Sequence, residues 1–415
     1  MKIATWLALP SLALSVMALS VTANAAEKVT FTKDVLPILQ ENCIVCHRAG
    51  GSNMGGMVAP MAFTTYKEIR PWSKAVAKAV ASKAMPPWDA ASEHSGQFIG
   101  ERGLTDAEIA TIVAWVEQGA TRGNPKDAPA PVEFPTVDGW AIGEPDLIVS
   151  MPDAYFVPDE VRDETKYFPM ELTADILPTD RWIKSVEFRP GSEVVHHIIA
   201  RPFGGIAPGN VPKEYRDGYS AKVKTGTKLV WNMHYHKEEG PGTGMWDQSS
   251  LGVRFYPEGY TPAHVLTTVP LGPRMIKIPA GDPNYSREAW HTFEKDTLIT
   301  HMMPHMHLRG TRVLYELHYP DGKEETLLSV PEYDFNWQTA YRFKEPKEVP
   351  AGTKVHLTGW WDNSADNESN PNPDIEITWG EATDEEMLFG WISFTNKEED
   401  ATGHQGVSRQ RSSDD

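Results

Sequence analysis

Cys43-Ile44-Val45-Cys46-His47 holds both cysteines of a 415-residue chain, and its reading decides the N-terminal part of the fold. A chain of this length carries two or three domains, each able to bury a core without disulfide staples. Hydrophobic residues make up 40% and 32 Gly and 33 Pro are scattered without a period, which excludes collagen and coiled coil. The 39 Lys+Arg stand against 57 Asp+Glu, a net charge of -18. That balance repels phosphate backbones and argues against nucleic acid and anionic membrane surfaces as partners.

C-x-x-C-H is the attachment sequence of c-type haem: two thioethers form to the vinyl groups and the adjacent His47 ligates the iron. A redox-active C-x-x-C lacks its βαβ context here, and a zinc site would need two further ligands nearby. A Met thioether commonly supplies the second axial ligand. Met54, Met57, Met61 and Met85 are candidates, and Met85 is favoured because Pro86-Pro87 stiffen the loop that presents it. Downstream, Thr105 caps a helix with Glu108 three positions on, and Ile109, Ile112, Val113 and Val116 line its apolar face. Helix, haem motif, loop, Met and helix resemble a small all-α class I cytochrome c domain, expected over residues 26–123. Residues 1–25 read as a signal peptide, with Lys2, an apolar stretch from Leu7 to Val21 and Ala23-Asn24-Ala25 before the cleavage site. The expectation is an exported, periplasmic protein with no membrane span after cleavage.

From Asn124 the sequence reads NPKDAPAPVEFP, a semi-rigid linker over 124–136. Beyond it, short alternating runs appear between Pro, Gly, Asn and Asp: Trp182 to Phe188, Val194 to Ala200, Lys228 to Tyr235, Arg312 to Tyr319 and Lys354 to Trp360. Such runs indicate β-sandwiches or barrels, and the length suits two in tandem, 137–260 and 261–396. Residues 397–415 are polar without periodicity and read as a disordered tail.

Histidines gather in this β region as His196-His197, His234-Tyr235-His236 and His301-Met302-Met303-Pro304-His305-Met306-His307. On a strand, residues i and i+2 share a face, so His305 and His307 can offer imidazoles to one ion. His196 and His197 would point to opposite faces unless the backbone bulges or ends there. Chance alone produces comparable His pairs, but Met beside His suits a soft, redox-active copper. Type 1 and binuclear CuA centres need Cys and are excluded.

Val194-Val195-His196-His197, Asn232-Met233-His234-Tyr235, Pro304-His305-Met306-His307-Leu308-Arg309-Gly310 and Thr383-Asp384-Glu385-Glu386-Met387 resemble, in order and character, the copper type II, ascorbate-dependent monooxygenases. That is the family of peptidylglycine α-hydroxylating and dopamine β-monooxygenases. Bacterial forms with a fused cytochrome c domain are more similar still, through Met85-Pro86-Pro87-Trp88, Leu328-Ser329-Val330-Pro331, Tyr333-Asp334-Phe335-Asn336-Trp337 and Asp362-Asn363-Ser364. The resemblance implies two jelly-roll-like sandwich domains with one copper each. His196, His197 and His234 would hold the electron-storing ion, and His305, His307 and Met387 the oxygen-binding one. From the sequence pattern alone Met387 reads as a core Met opening a strand from Met387 to Phe394. His236 and His301 match no ligand of the family. Where the peptide-amidating member anchors a substrate carboxylate, this chain has Met303, Phe389 and Trp391, so a small, mostly apolar substrate is expected. The resulting expectation is a monooxygenase that inserts one atom of O2 into a C-H bond, with electrons entering through the haem from ascorbate or a periplasmic donor. The rivals are a copper-binding, electron-transfer haem protein without hydroxylase activity and a haem sensor module. The acidic loop Asp362 to Asp374 lacks the Gly and the bidentate Glu of a calcium loop and reads as a turn.

Overall fold

The computed structural model describes residues 28–48, 59, 61–133, 139–207 and 212–398. The expected signal peptide, Met54, Met57 and tail positions 399–415 lie outside them. The N-terminal region is helical, with α1 (Leu36–Asn42), α2 (Tyr66–Ile69), α3 (Ser73–Ala81) and α4 (Asp106–Glu117) around a core that includes Val35, Leu39, Ile69, Ile112 and Trp115. Thr105 opens α4 with a capping box: its hydroxyl accepts the Glu108 N–H at 3.2 Å, and the Glu108 carboxylate accepts the Thr105 N–H at 2.7 Å. The deepest residues of α4 are Ile112 and Trp115, while Val113 and Val116 stay half-buried. Trp115 can be buried because its indole N–H reaches the Thr121 carbonyl at 2.9 Å.

After Asp146 the regular structure is β-sheet, and the expected runs fall within strands. One pair of sheets surrounds a core containing Val186, Ile198, Trp231 and Val253. Its first sheet orders Leu147–Ser150, Ser250–Phe255, Arg181–Arg189 and Lys213–Glu214, with Lys222–Val223 also on Arg181–Arg189. Its second orders Asp163–Leu172, Thr227–His236, Val195–Arg201 and Gly204–Ile206. Another pair surrounds a core containing Met302, Tyr315, Leu357 and Ile392. Here one sheet orders Thr267–Leu271, Phe389–Asn396, Thr297–His305 and Tyr341–Val349. The other orders Tyr285–Thr292, Lys354–Trp361, Gly310–His318 and Glu324–Val330. Period-two alternation sends Tyr315, Leu317, Val355 and Leu357 inward and leaves Glu316, His318 and His356 on the outer face.

One boundary differs from the sequence reading. The strand expected over Met387 to Phe394 is Phe389–Asn396, and Met387 precedes it. The buried Glu386 carboxylate takes the backbone N–H groups of His307 and Arg309 and the Trp361 indole N–H, which fixes the chain there by side-chain bonds. Asn396, the last residue before the expected tail, is a strand residue. In the acidic loop, Asp362, Asn367, Asn370 and Asn372 each accept a backbone N–H two residues on, a run of Asx turns. No helix among the described residues is long and apolar enough to cross a membrane.

Gly310 follows the His305–His307 segment in close contact with it. A Cβ at Gly310 would lie 2.6 Å from Met306 Cε and 2.7 Å from Met306 Cβ. Gly310→Ala should therefore cost about 1–3 kcal/mol by overpacking, read as a lower urea midpoint with unchanged slope.

Candidate functional site

Thr227–His236 runs between Asp163–Leu172 and Val195–Arg201, so His234 faces Thr165 on one side and His197 on the other. The next pair is Tyr235 with Val195, which leaves His196 as an extra, unpaired residue. This β-bulge re-aims His196 and answers the problem of two consecutive histidines on one strand. The ligand nitrogens of His196, His197 and His234 all lie within 4.8 Å of one another. His234 Nδ1 stands 3.2 Å from His197 Nδ1, and two nitrogens bonded at about 2.0 Å to one ion are about 3 Å apart. His234 Nε2 contacts both Asp163 oxygens at 3.1 Å, so its N–H donates there and Nδ1 is the nitrogen turned toward His197. His196 Nδ1 is buried without a hydrogen-bond partner. A metal ion fits this donor set.

His305 ends the strand Thr297–His305, and its Nδ1 meets Gln338 Oε1 at 2.7 Å. His307 Nδ1 donates to the Glu385 carbonyl at 3.1 Å. In both neutral rings the Nε2 lone pair is left for a ligand. Arg309, fully buried, braces the segment by donating to Asn363 Oδ1 at 3.0 Å and to the Asp384 carbonyl at 2.7 Å. Met387 adjoins Glu386, whose carboxylate binds the His307 N–H at 3.0 Å. Burial raises that carboxyl to about 7, against the N–H groups of Arg309 and His307 that favour its charge.

The two histidine sets meet. The His197 and His305 rings are 6.1 Å apart, and those of His305 and His307 5.2 Å. Phe335 lies between the sets, stacked on His196 at 5.0 Å and edge-on to His307 at 5.8 Å. Asp163 also accepts the Thr383 hydroxyl at 2.9 Å, which ties the second β unit to the carboxylate that orients His234. Burial pushes His196 and His307 down to about 3 and His305 to about 4, with His197 well below the usual imidazole range. All four rings are neutral at neutral pH. Burial would raise Asp163, yet hydrogen bonds from His234 and His236 outweigh it and hold the carboxyl far below its ordinary value.

His236 is exposed and bonds Asp163 at 3.0 Å from outside the cluster. His301 points elsewhere, buried with Nε2 2.9 Å from Ser393 Oγ. Met303 pairs with Trp391 and His305 with Phe389, so these residues share one sheet face. Arg201 of the first β unit lies over the Trp391 ring at 4.7 Å, a charge the local sequence did not announce.

In the helical region, burial pushes the Cys43 thiol up to about 12 and raises Cys46 as well, the opposite of what an active redox pair needs. His47 Nδ1 donates to the Met61 carbonyl at 3.0 Å, which leaves Nε2 for an iron. Met61 is thus tied by its backbone to the far side of that ring, and its side chain packs on the helical core. Met85 follows α3, its N–H on the Ala79 carbonyl at 3.3 Å.

Residues 37–120 match the Cytochrome c family. The helical region is a cytochrome c domain, a carrier of c-type haem suited to electron transfer. No curated protein matches the chain. Among solved structures it is similar to the VP2 subviral particle of infectious bursal disease virus, at 11% identity over 61% of this chain and 73% of that one, TM-score 0.20. A Paenibacillus xanthan lyase is similar at 10% identity over 66% of this chain and 28% of that one, TM-score 0.19. Likeness this slight supports no conclusion about fold or function.

The cytochrome c domain is docked on the second β unit by the segment between Met85 and α4. Ala91 N–H bonds the Ser329 carbonyl at 2.9 Å, Ser329 N–H bonds His94 Nε2 at 2.9 Å, and Phe98 forms a β-bridge with Phe343. Trp88 meets Tyr341 edge-on at 5.2 Å. Beside it, burial and the charge of Asp334 raise Asp89 to about 7, opposed by Arg102. Asp334 adjoins Phe335, so the loop 331–339 touches both the docked segment and the histidine cluster. Sequence reasoning missed Asp163, Gln338 and this docking and gave Phe335 no role, because none carries a spacing signal.

Two outcomes follow from this geometry. Asp163→Asn should weaken binding of a metal ion by the His196/His197/His234 set about 10–100-fold, measured by chelator competition. Unfolded Asp ionises near 4, so between about pH 4 and 7 the folded state keeps an Asp89 proton that the unfolded chain releases, and stability falls as pH rises. Asp89→Asn should remove that loss and be more stable than the parent at pH 8 by up to about 4 kcal/mol, with no advantage at pH 4, by denaturant titration.

Proposed function

We propose that the chain is an exported monooxygenase using two coppers and one c-type haem, which hydroxylates a C-H bond of a small, mostly apolar substrate with O2. In this reading the β units are the two jelly-roll-like copper domains of the type II family. The observation that carries it is the convergence of five imidazoles, three of them (His234, His305 and His307) held by one nitrogen with the other turned inward, on a loop that also meets the cytochrome c domain. Copper there would supply one-electron redox chemistry and dioxygen activation, and haem on Cys43, Cys46 and His47 would supply electrons singly.

The chain's own residues define the rest. His196, His197 and His234 form one ligand set, and His305, His307 and Met387 the other. Gln338 and the Glu385 carbonyl fix the tautomers of His305 and His307. Phe335 fills the space between the sets and limits water there. Met303, Phe389 and Trp391 offer an apolar lane on the His305 face, and Arg201 over Trp391 suits a substrate with one polar end better than a wholly apolar one. Loop 331–339 and the docked segment 88–99 give a short packed route from the haem domain to the cluster.

The close approach of His197 and His305 also favours a second reading, a periplasmic copper electron-transfer haem protein without hydroxylase activity. Metal analysis and oxygen uptake separate the two. The monooxygenase reading expects about two coppers per chain and substrate-dependent O2 consumption with a reductant. Met387→Ala should abolish that consumption while sparing the haem spectrum and the His196 set. Copper binding and haem reduction without O2 consumption across apolar substrates supports the electron-transfer reading; a copper-free holoprotein sinks both.

A further inference from the structure

A second histidine cluster lies on the outer face of the second β unit, across that unit's core from the residues above. Glu316 on Gly310–His318 is directly opposite His356 on Lys354–Trp361, and His318 lies two residues along on the same face. One ligand atom each from Glu316, His318 and His356 fall within 4.8 Å of one another. We infer that Glu316, His318 and His356 form a mononuclear binding site for a divalent transition cation of the zinc class, separate from the copper and haem ligands.

Three features distinguish the cluster from an ordinary charged surface. First, His318 Nε2 is buried and has no hydrogen-bond partner, so its lone pair or proton is unspent. Second, each imidazole is backed by a carboxylate on the nitrogen turned away from the others: Glu324 holds His318 Nδ1 at 3.2 Å, and Glu288 holds His356 Nε2 at 2.7 Å. That leaves His318 Nε2 and His356 Nδ1 to converge with the Glu316 carboxylate, which is 3.4 Å from His356 Nδ1. Metal-bound imidazoles use such carboxylates to fix the tautomer and raise ligand basicity. Third, Trp290, opposite His356 on the neighbouring strand, stacks on His356 at 3.8 Å and 6° and lies 4.9 Å from His318. It holds the rings at one orientation.

Two imidazoles and one carboxylate without sulfur suit a borderline divalent ion such as zinc, with a coordination position left open to water. Glu288, Glu316 and Glu324 carry the charge to receive it. Lys354, paired with His318, is the cation on the same row, and its exposed side chain can turn to solvent. His318 and His356 come from separate strands, so no H-x-H or H-H spacing marks them, and only the register unites them.

The test is zinc titration of the full-length, haem- and copper-loaded protein, with bound metal counted after equilibrium dialysis. The expected result is one further zinc per chain, lost in His318→Asn and in His356→Asn while copper content and the haem spectrum are unchanged. Glu324→Gln should weaken that zinc about 10–100-fold, and His196→Ala should leave it in place. If both His318→Asn and His356→Asn keep the zinc, if it disappears only with His196→Ala, or if the parent binds none, the inference is wrong. Because copper content is read in the same samples, a failed zinc site and a failed copper reading are told apart.

Discussion

Imidazoles can be buried side by side only if they stay uncharged, and the interface between the two β units depends on that condition. His196, His197, His234, His305 and His307 would repel one another as imidazolium, and burial would strip most of their hydration. Burial depresses the basicity of His196, His197, His305 and His307, and the surroundings assign a tautomer to His234, His305 and His307. Asp163 takes His234 Nε2, Gln338 takes His305 Nδ1, and the Glu385 carbonyl takes His307 Nδ1. The lone pairs that remain are the functional resource of the site. Asp163 can stand as a carboxylate beside these rings because it receives two imidazole groups and the Thr383 hydroxyl at once.

The same interface explains why the cytochrome c domain is built in rather than merely attached. Its segment after Met85 leaves the helical core and joins the second β unit by backbone bonds, a β-bridge and the aromatic contacts of Trp88 and Phe98. The loop that receives it continues through Asp334 into Phe335 and Gln338. A change at the haem domain surface and a change at the histidines therefore act on one stretch of about nine residues, the kind of short packed connection through which coupling travels.

Much of the fold was legible because it rests on local patterns. The Thr105 cap, the Cys43 to His47 motif and the two-residue alternation of Lys354 to Trp360 each need only neighbours in sequence to be read. The strand boundary at Met387 was misplaced because a distant partner, the buried Glu386 carboxylate, overrides local propensity there. The bulge at His196 was a condition that the adjacent pair demanded, and the backbone meets it where Val195 pairs with Tyr235. His318 and His356 were silent, since each is an ordinary lone histidine until its strand finds its neighbour.

The sequence alone determined the cytochrome c domain, the β character of the rest and the identity of the imidazoles available for a metal, since these follow from covalent motif, periodicity and composition. Only the tertiary structure decided that the two histidine sets share one interface, which nitrogen of His234, His305 and His307 is free, and that a further histidine pair meets on the outer face. The reason is physical. Tautomer, basicity and ligand geometry are properties of surroundings, and those surroundings are assembled from strands far apart in the chain.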